Sequence, residues 1–161
     1  MKGIIIYFSH EGFTETAARM IAKETGMDLL KLEPKKQFPS GKISKFIWGG
    51  KSAVMGDKPE LTAYQFQADP YDTIILATPI WAGTVSPPML SFLSDNRIAA
   101  KKIGLLATCA GGPSDKCFQR MKEFLPDASI IETLTIVQKK EMNLSEVNIS
   151  IMNFCKKLEE A

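Results

Sequence analysis

Short apolar runs alternate with amphipathic stretches along the chain. Three of the runs, GIIIYF, TIILAT and KIGLLAT, are almost continuously apolar. Such runs are typical of the inner strands of a parallel sheet that is covered on both faces. Together with two further strand-like runs, the predicted strands are Gly3–Phe8, Asp28–Leu32, Thr73–Thr78, Lys102–Thr108 and Ser129–Val137.

Helical spacing of apolar residues separates these runs. The predicted helices are Thr14–Glu24, Pro87–Ser94, Asp115–Leu125 and Leu144–Leu158, with a shorter one at Lys42–Val54 between turn signals. Strands that alternate with helices favour an α/β fold, here a three-layer sandwich with a five-stranded parallel sheet and right-handed crossovers. A length of 161 residues fits one domain that spans residues 1–161.

Composition narrows the class of protein. The apolar fraction is 45% and the mean hydropathy is −0.04, as expected for a globular chain. The apolar run in MKGIIIYFS is too short for a signal peptide, and no run reaches the roughly 18 residues of a membrane span. We therefore expect a cytoplasmic protein that does not associate with membranes.

Cysteine usage and charge exclude further classes. With three cysteines, no CxxC and one histidine, the sequence predicts neither a disulfide framework nor a metal site. The net charge of +2 comes from basic and acidic residues that are mixed along the chain, so nucleic-acid binding is not expected.

Candidate binding residues follow the inner strands, because ligands of such sheets bind outside the carboxyl ends of the strands. They are Ser9, His10, Glu11, Gly12, Phe13, Thr14 and Thr16 after the first strand, Thr78, Pro79, Ile80, Trp81, Ala82 and Gly83 after the third, and Thr108, Cys109, Ala110, Gly111 and Gly112 after the fourth.

The first of these loops has the composition of a phosphate cradle. It combines hydroxyls with Gly12 and leads into a helix, whose free N–H groups and dipole favour an anion. No lysine or arginine lies between Ser9 and Ala18, so the donors would be neutral. The loop matches neither GxxxxGK[ST] nor GxGxxG. A polar turn in which Ser9 or Thr14 is an ordinary N-cap is the alternative.

Four segments resemble one known family. Ser9–Thr14 matches the pattern [ST]-x-T-G-x-T at its first, fourth and sixth places. TPIWAGTVSPPMLSFL (Thr78–Leu93), TCAGG (Thr108–Gly112) and FIWGG…PEL (Phe46–Leu61) resemble further parts of the flavodoxins and flavodoxin-like FMN proteins. The resemblance implies strand order 2-1-3-4-5, non-covalent FMN bound by the candidate residues above, no catalytic side chain, and electron transfer between redox partner proteins.

The resemblance also implies roles for single residues. Ser9, Thr14 and Thr16 would donate hydrogen bonds to the phosphate, and backbone groups of Ile80–Ala82 and Cys109–Gly112 would meet the polar edge of the isoalloxazine ring. Trp81 would stack on that ring, although an interface or core tryptophan is the alternative. Gly83 would allow the adjacent peptide to reorient on reduction.

Two departures from the family keep alternatives open. Glu11 stands where the family has threonine, and the pI of about 8.4 differs from the acidic pI of flavodoxins. An electron carrier, an NAD(P)H-dependent FMN or quinone reductase, and a binding module that has lost its flavin all remain possible, as do a monomer and a homodimer. A response-regulator-like domain is set aside, because Thr78 stands where the phospho-acceptor aspartate would be.

Overall fold

The computed structural model describes residues 2–38, 55–99, 101–138 and 144–161, so the helix predicted at Lys42–Val54 lies outside the described residues. The strands are β1 (Gly3–Tyr7), β2 (Asp28–Lys31), β3 (Thr73–Trp81), β4 (Thr84–Val85), β5 (Lys102–Cys109) and β6 (Ser129–Val137). The helices are α1 (Phe13–Thr25), α2 (Pro87–Asp95), α3 (Asp115–Lys122) and α4 (Leu144–Glu160).

The sheet runs in the order β2-β1-β3-β5-β6, and all of these strands are parallel to their neighbours. The short strand β4 lies off this path and pairs antiparallel with the end of β3. Without β4 the order is 2-1-3-4-5, so the predicted three-layer α/β fold and its strand order are confirmed. The apolar runs GIIIYF, TIILAT and KIGLLAT supply the three inner strands.

Two hydrophobic cores cover the two faces of the sheet. Because side chains alternate along a strand, Ile4 and Ile6 of β1 pack with α2 and α3, whereas Ile5 and Tyr7 pack with α1 and α4. All four side chains are at most 5% exposed. The helices therefore hold the inner strands rigidly from both sides and leave the ends of the strands open.

Two predicted element ends differ from the observed ones by three residues, and the other described ends differ by at most two. The third strand was expected to end at Thr78, but β3 continues to Trp81, because β4 folds back on it and extends its pairing. Pro79 is tolerated there because β1 pairs with β3 only as far as Ala77. The helix predicted to reach Leu125 ends at Lys122, although Leu125 is still buried in the core.

Within the described residues, no helix is both long and apolar enough to cross a membrane.

Gly104 gives a test of how closely α4 packs on the sheet. A Cβ at this position of β5 would lie 2.7 Å from Phe154 Cζ and 3.0 Å from Leu158 Cδ1, both in the buried side chains of α4. We expect Gly104→Ala to lower the free energy of unfolding by about 1–3 kcal/mol, the usual cost of overpacking a core. Urea denaturation of both proteins measures it.

The matched control is the same substitution in a Phe154→Leu background. The shorter side chain removes the closest contact, so Gly104→Ala should cost less there than in the wild-type background. Equal costs in the two backgrounds would show that the contact with Phe154 is not the cause.

Candidate functional site

The carboxyl ends of β1, β3 and β5 meet at one edge of the sheet, and the three predicted loops lie there. At the first loop, α1 begins at Phe13 after Gly12, which has a φ of 87°. No side chain caps the helix, so the first N–H groups of α1 keep no capping partner from this turn. Neither Ser9 nor Thr14 is therefore the ordinary N-cap of the alternative interpretation.

Gly12 is required by its backbone conformation. A residue with a Cβ rarely adopts its positive φ, and a Cβ built there would meet no atom within 4 Å. The space in front of the helix end is therefore open to a ligand, and glycine lets the backbone approach that ligand closely.

Ser9 carries a buried polar atom without a partner. Its Oγ is inaccessible to solvent and has no hydrogen-bond partner among the residues that the structure describes. Leaving a buried hydroxyl unsatisfied costs about 1–3 kcal/mol, so such atoms in native proteins call for an explanation. A ligand that accepts a hydrogen bond at the start of α1 supplies one, and the site thus fits the phosphate predicted from the sequence.

Thr14, in the first turn of α1, is tied to another loop. Its Oγ1 lies 2.7 Å from Oγ1 of Thr108 at the end of β5, and either oxygen can be the donor. Both residues are buried, at 2% and 3% exposure. The pair joins the first and third predicted loops directly.

Thr16 is placed differently from its neighbours. It is exposed, and its hydroxyl donates to the carbonyl oxygen of Gly12 at 2.9 Å. A hydroxyl has a single proton, so in this conformation Thr16 has none for a phosphate, contrary to its predicted donor role. Glu11 is also exposed, while His10 and Phe13 are half-buried.

The acidic residue in the first turn of α1, Glu15, is paired within the protein. The Glu15 carboxylate accepts from Arg19 Nη2 at 2.8 Å and lies 3.2 Å from Lys31 Nζ. The hydrogen bond from Arg19 lowers the pKa of Glu15, and Lys31 adds to the effect. Because the two cations offset this carboxylate, its repulsion of an anion at the helix end is reduced.

The second loop is a tight hairpin rather than an open loop. Only Ala82 and Gly83 connect β3 with β4, and their φ values are 49° and 78°. Positive φ at both positions is what a type I′ turn requires. Among the described residues, Ala82 is the single non-glycine residue with a positive φ.

The hairpin presents Trp81 within an aromatic cluster, which we define as Phe8, His10, Phe38 and Trp81. The centroid of the Trp81 ring lies 4.9 Å from that of Phe38, 5.5 Å from that of Phe8 and 5.8 Å from that of His10. In each pair the two ring planes are close to perpendicular. Edge-to-face contacts of this kind are favourable and fix the orientation of the indole. Trp81 is half-buried, so part of its surface remains accessible.

Thr78 stabilises the hairpin through its side-chain hydroxyl. Its Oγ1 lies 2.7 Å from Ser86 Oγ, accepts from the Ser86 N–H at 3.2 Å and donates to the Pro79 carbonyl at 3.1 Å. These protein partners occupy the hydroxyl, and the residue is fully buried. Pro79 and Ile80 are half-buried and continue β3 towards Trp81.

The third loop begins at Cys109, which is 8% exposed, and continues through the exposed Ala110, Gly111 and Gly112. The two glycines have φ values of 149° and 100°, a region in which other residues are strained. Behind this loop, burial raises the pKa of the Cys117 thiol to about 12. That thiol stays protonated and unreactive at neutral pH.

A separate cleft of about 450 Å³ lies between residues 58–64 and the side chains of Ser91 and Asp95 on α2. None of the predicted site residues lines it.

A family model described as flavodoxin matches residues 2–153 of the chain. The chain belongs to the flavodoxin family. The match confirms the resemblance to flavodoxins that the loop sequences indicate. It also confirms that the chain is one of the flavodoxin-like flavoproteins. No curated protein matches the chain.

Solved structures of flavodoxin-like proteins share the fold. A candidate flavoprotein from Bacteroides eggerthii has a TM-score of 0.80 and 20% identity, with 98% of each chain covered. A flavoprotein from Lactobacillus acidophilus, solved in complex with FMN, has a TM-score of 0.73 and 20% identity, with 92% of this chain and 97% of that chain covered. An azoreductase from Bacillus anthracis has a TM-score of 0.57 and 14% identity over the full length of both chains.

Sequence reasoning missed two members of the aromatic cluster. The apolar pattern places Phe8 only in the first strand, and Phe38 lies in a segment without a predicted element. Phe38 reaches Trp81 because the chain around Pro34 pairs with the chain around Leu61. The Lys35 N–H donates to Glu60 O and the Thr62 N–H to Glu33 O. A pairing of such distant segments leaves no local signal in the sequence.

Proposed function

We propose that this flavodoxin-family protein binds FMN non-covalently at the three loops and transfers electrons between redox partner proteins. The observation that carries the proposal is the buried, unpartnered Oγ of Ser9 beside the uncapped start of α1. Membership of the flavodoxin family supports a flavin as the ligand.

The phosphate would be held by neutral donors. Ser9 Oγ, which has no described partner, and the first N–H groups of α1, which no side chain caps, would donate to its oxygens, and the helix dipole would add a favourable field. These dipoles are held in place by the fold, so little reorganisation is needed on binding. The pairing of Glu15 with Arg19 and Lys31 limits the opposing field of the nearest acidic side chain of the helix.

The ring system would lie between the hairpin and the third loop. Trp81 offers an indole whose orientation is fixed by the perpendicular rings of Phe8 and Phe38. Backbone groups at Ile80–Ala82 and Cys109–Gly112 would face the polar edge of the ring, where the glycine conformations keep side chains out of the way. Bound FMN would supply the transfer of one or two electrons, and the protein would bind, orient and shield it.

Ser9→Ala tests the phosphate site. The substitution removes a hydrogen bond to a charged group, worth about 1.5–3 kcal/mol, so FMN should bind roughly 10- to 150-fold more weakly. Riboflavin, which lacks the phosphate, should bind as it does to the wild type. The apoprotein should be as stable as the wild type or more stable, because an unsatisfied buried hydroxyl is removed. Fluorescence titration and thermal unfolding measure these quantities.

The control for this experiment is Ser150→Ala, since Ser150 lies on the exposed face of α4 and donates to the Glu146 carbonyl. Its flavin affinities should equal those of the wild type. An unchanged affinity of Ser9→Ala for FMN would remove Ser9 from the site, and a wild-type protein that takes up no FMN at high excess would refute the function itself.

Trp81→Leu tests the ring position. An indole stacked on the flavin quenches its fluorescence and adds about 0.5–1.5 kcal/mol of binding. We expect the bound flavin of the variant to be brighter and its affinity for both FMN and riboflavin to be about two- to tenfold lower. Phe66→Leu is the control, because Phe66 packs against Phe92 in the core. Identical flavin fluorescence in the wild type and Trp81→Leu would show that Trp81 does not stack.

One observation favours a second candidate, an NAD(P)H-dependent FMN or quinone reductase. The net charge of +2 and the pI of about 8.4 lack the acidic excess that steers an electron carrier to basic partners. A reductase that takes electrons from a nicotinamide needs no such steering.

Anaerobic mixing with NADPH or NADH separates the two candidates. For the carrier, we expect the flavin absorbance to persist over minutes after either nicotinamide is added, and to bleach promptly with dithionite. Bleaching by a nicotinamide within seconds, followed by turnover with a quinone, would establish the reductase instead.

A further inference from the structure

The hydrogen bond between Thr14 and Thr108 constrains how the proposed phosphate site works. It joins the first turn of α1 to the end of β5, with 2.7 Å between the two Oγ1 atoms. Both residues are at most 3% exposed. Because water does not reach a pair buried in this way, each hydroxyl must find its partners within the protein or on a ligand.

The direction of this hydrogen bond decides whether Thr14 has a proton for a ligand. Each hydroxyl has one proton and two lone pairs. If Thr14 donates to Thr108, its single proton is used and it has none for an anion. If Thr108 donates to Thr14, the proton of Thr14 is free. A phosphate dianion accepts hydrogen bonds through its oxygens, so only the second direction serves such a ligand.

We infer that Thr108 is a positioning residue: it donates to Thr14 Oγ1 and thereby directs the proton of Thr14 towards the FMN phosphate. The inference rests on the proposed function and refines the sequence prediction, in which Thr108 contacts the cofactor directly. When Thr108 donates to Thr14 and Thr14 donates to a charged phosphate, the two hydrogen bonds polarise and strengthen each other.

The role predicts a selective effect on the phosphate. Thr108→Val keeps the shape of the side chain and removes the donor. The proton of Thr14 can then still reach the phosphate, but the Thr14 oxygen loses the hydrogen bond that polarises it, so FMN should bind a few-fold more weakly while riboflavin affinity stays unchanged. Thr14→Val removes the hydrogen bond to the phosphate itself, so FMN should bind roughly 10- to 150-fold more weakly. The double variant should lose as much as Thr14→Val alone, because Thr108 acts only through Thr14. Fluorescence titrations of these three variants and the wild type with both flavins give the affinities to be compared.

Two further variants separate positioning from a structural role. Thr108→Ser retains the hydroxyl and should therefore bind FMN as tightly as the wild type. Thr135→Val removes a similar pair on the neighbouring strand, in which Thr135 Oγ1 donates to Ser114 Oγ at 2.7 Å, and should change neither flavin affinity. The phosphorus NMR signal of bound FMN should shift in Thr108→Val and not in Thr135→Val. Thr108→Ala serves as a second hydroxyl-free variant if Thr108→Val does not fold.

Several outcomes overturn the inference while the proposed function stands. These are an unchanged FMN affinity in Thr108→Val, an equal loss of FMN and riboflavin affinity, additive losses in the double variant, or a Thr108→Ser variant as weak as Thr108→Val. A wild-type protein that binds neither flavin would refute the proposed function, and the role of Thr108 would be refuted with it.

Discussion

The start of α1 is the constraint on which the candidate site depends. A buried parallel strand ends, the chain turns through a glycine with positive φ, and a helix begins without a side-chain cap. Its first N–H groups are left for a ligand. The two cores hold β1 and α1 against the sheet, so this end of the helix is presented rigidly and an anion can bind without ordering the chain first.

The same rigidity extends to the ring-binding side of the proposed site. Ala82 adopts a conformation that is unfavourable for a residue with a Cβ, and the hairpin is held by the contacts of Thr78 with Ser86 and of Trp81 with Phe8 and Phe38. Backbone strain of this kind persists only where its surroundings over-determine it, and it is frequent at ligand sites. The hairpin, rather than a flexible loop, therefore sets the position of the indole.

The fold could be predicted from the sequence because the signals were local. Continuous apolar runs marked β1, β3 and β5, and amphipathic spacing marked the four described helices. The sequence also predicted that the three candidate loops lie together, since parallel strands bring Gly12, Trp81 and Gly111 to one edge. The hydrogen bonds among these loops could not be predicted. Neither the use of the Thr16 proton by Gly12 nor the pairing of Thr14 with Thr108 follows from the sequence, because these depend on side-chain geometry across the fold.

A site without cations can hold a dianion only if its dipoles point the right way before the ligand arrives. The helix N–H groups meet this condition through the backbone, and Ser9 meets it through a hydroxyl that has no other described partner. Thr14 does not meet it alone, because its proton can also turn towards Thr108. The donor in β5 therefore decides whether this hydroxyl helps the ligand or competes with it. In a neutral cradle, the residue behind the ligand-binding hydroxyl thus has an electrostatic role that a nearby lysine or arginine would otherwise fulfil.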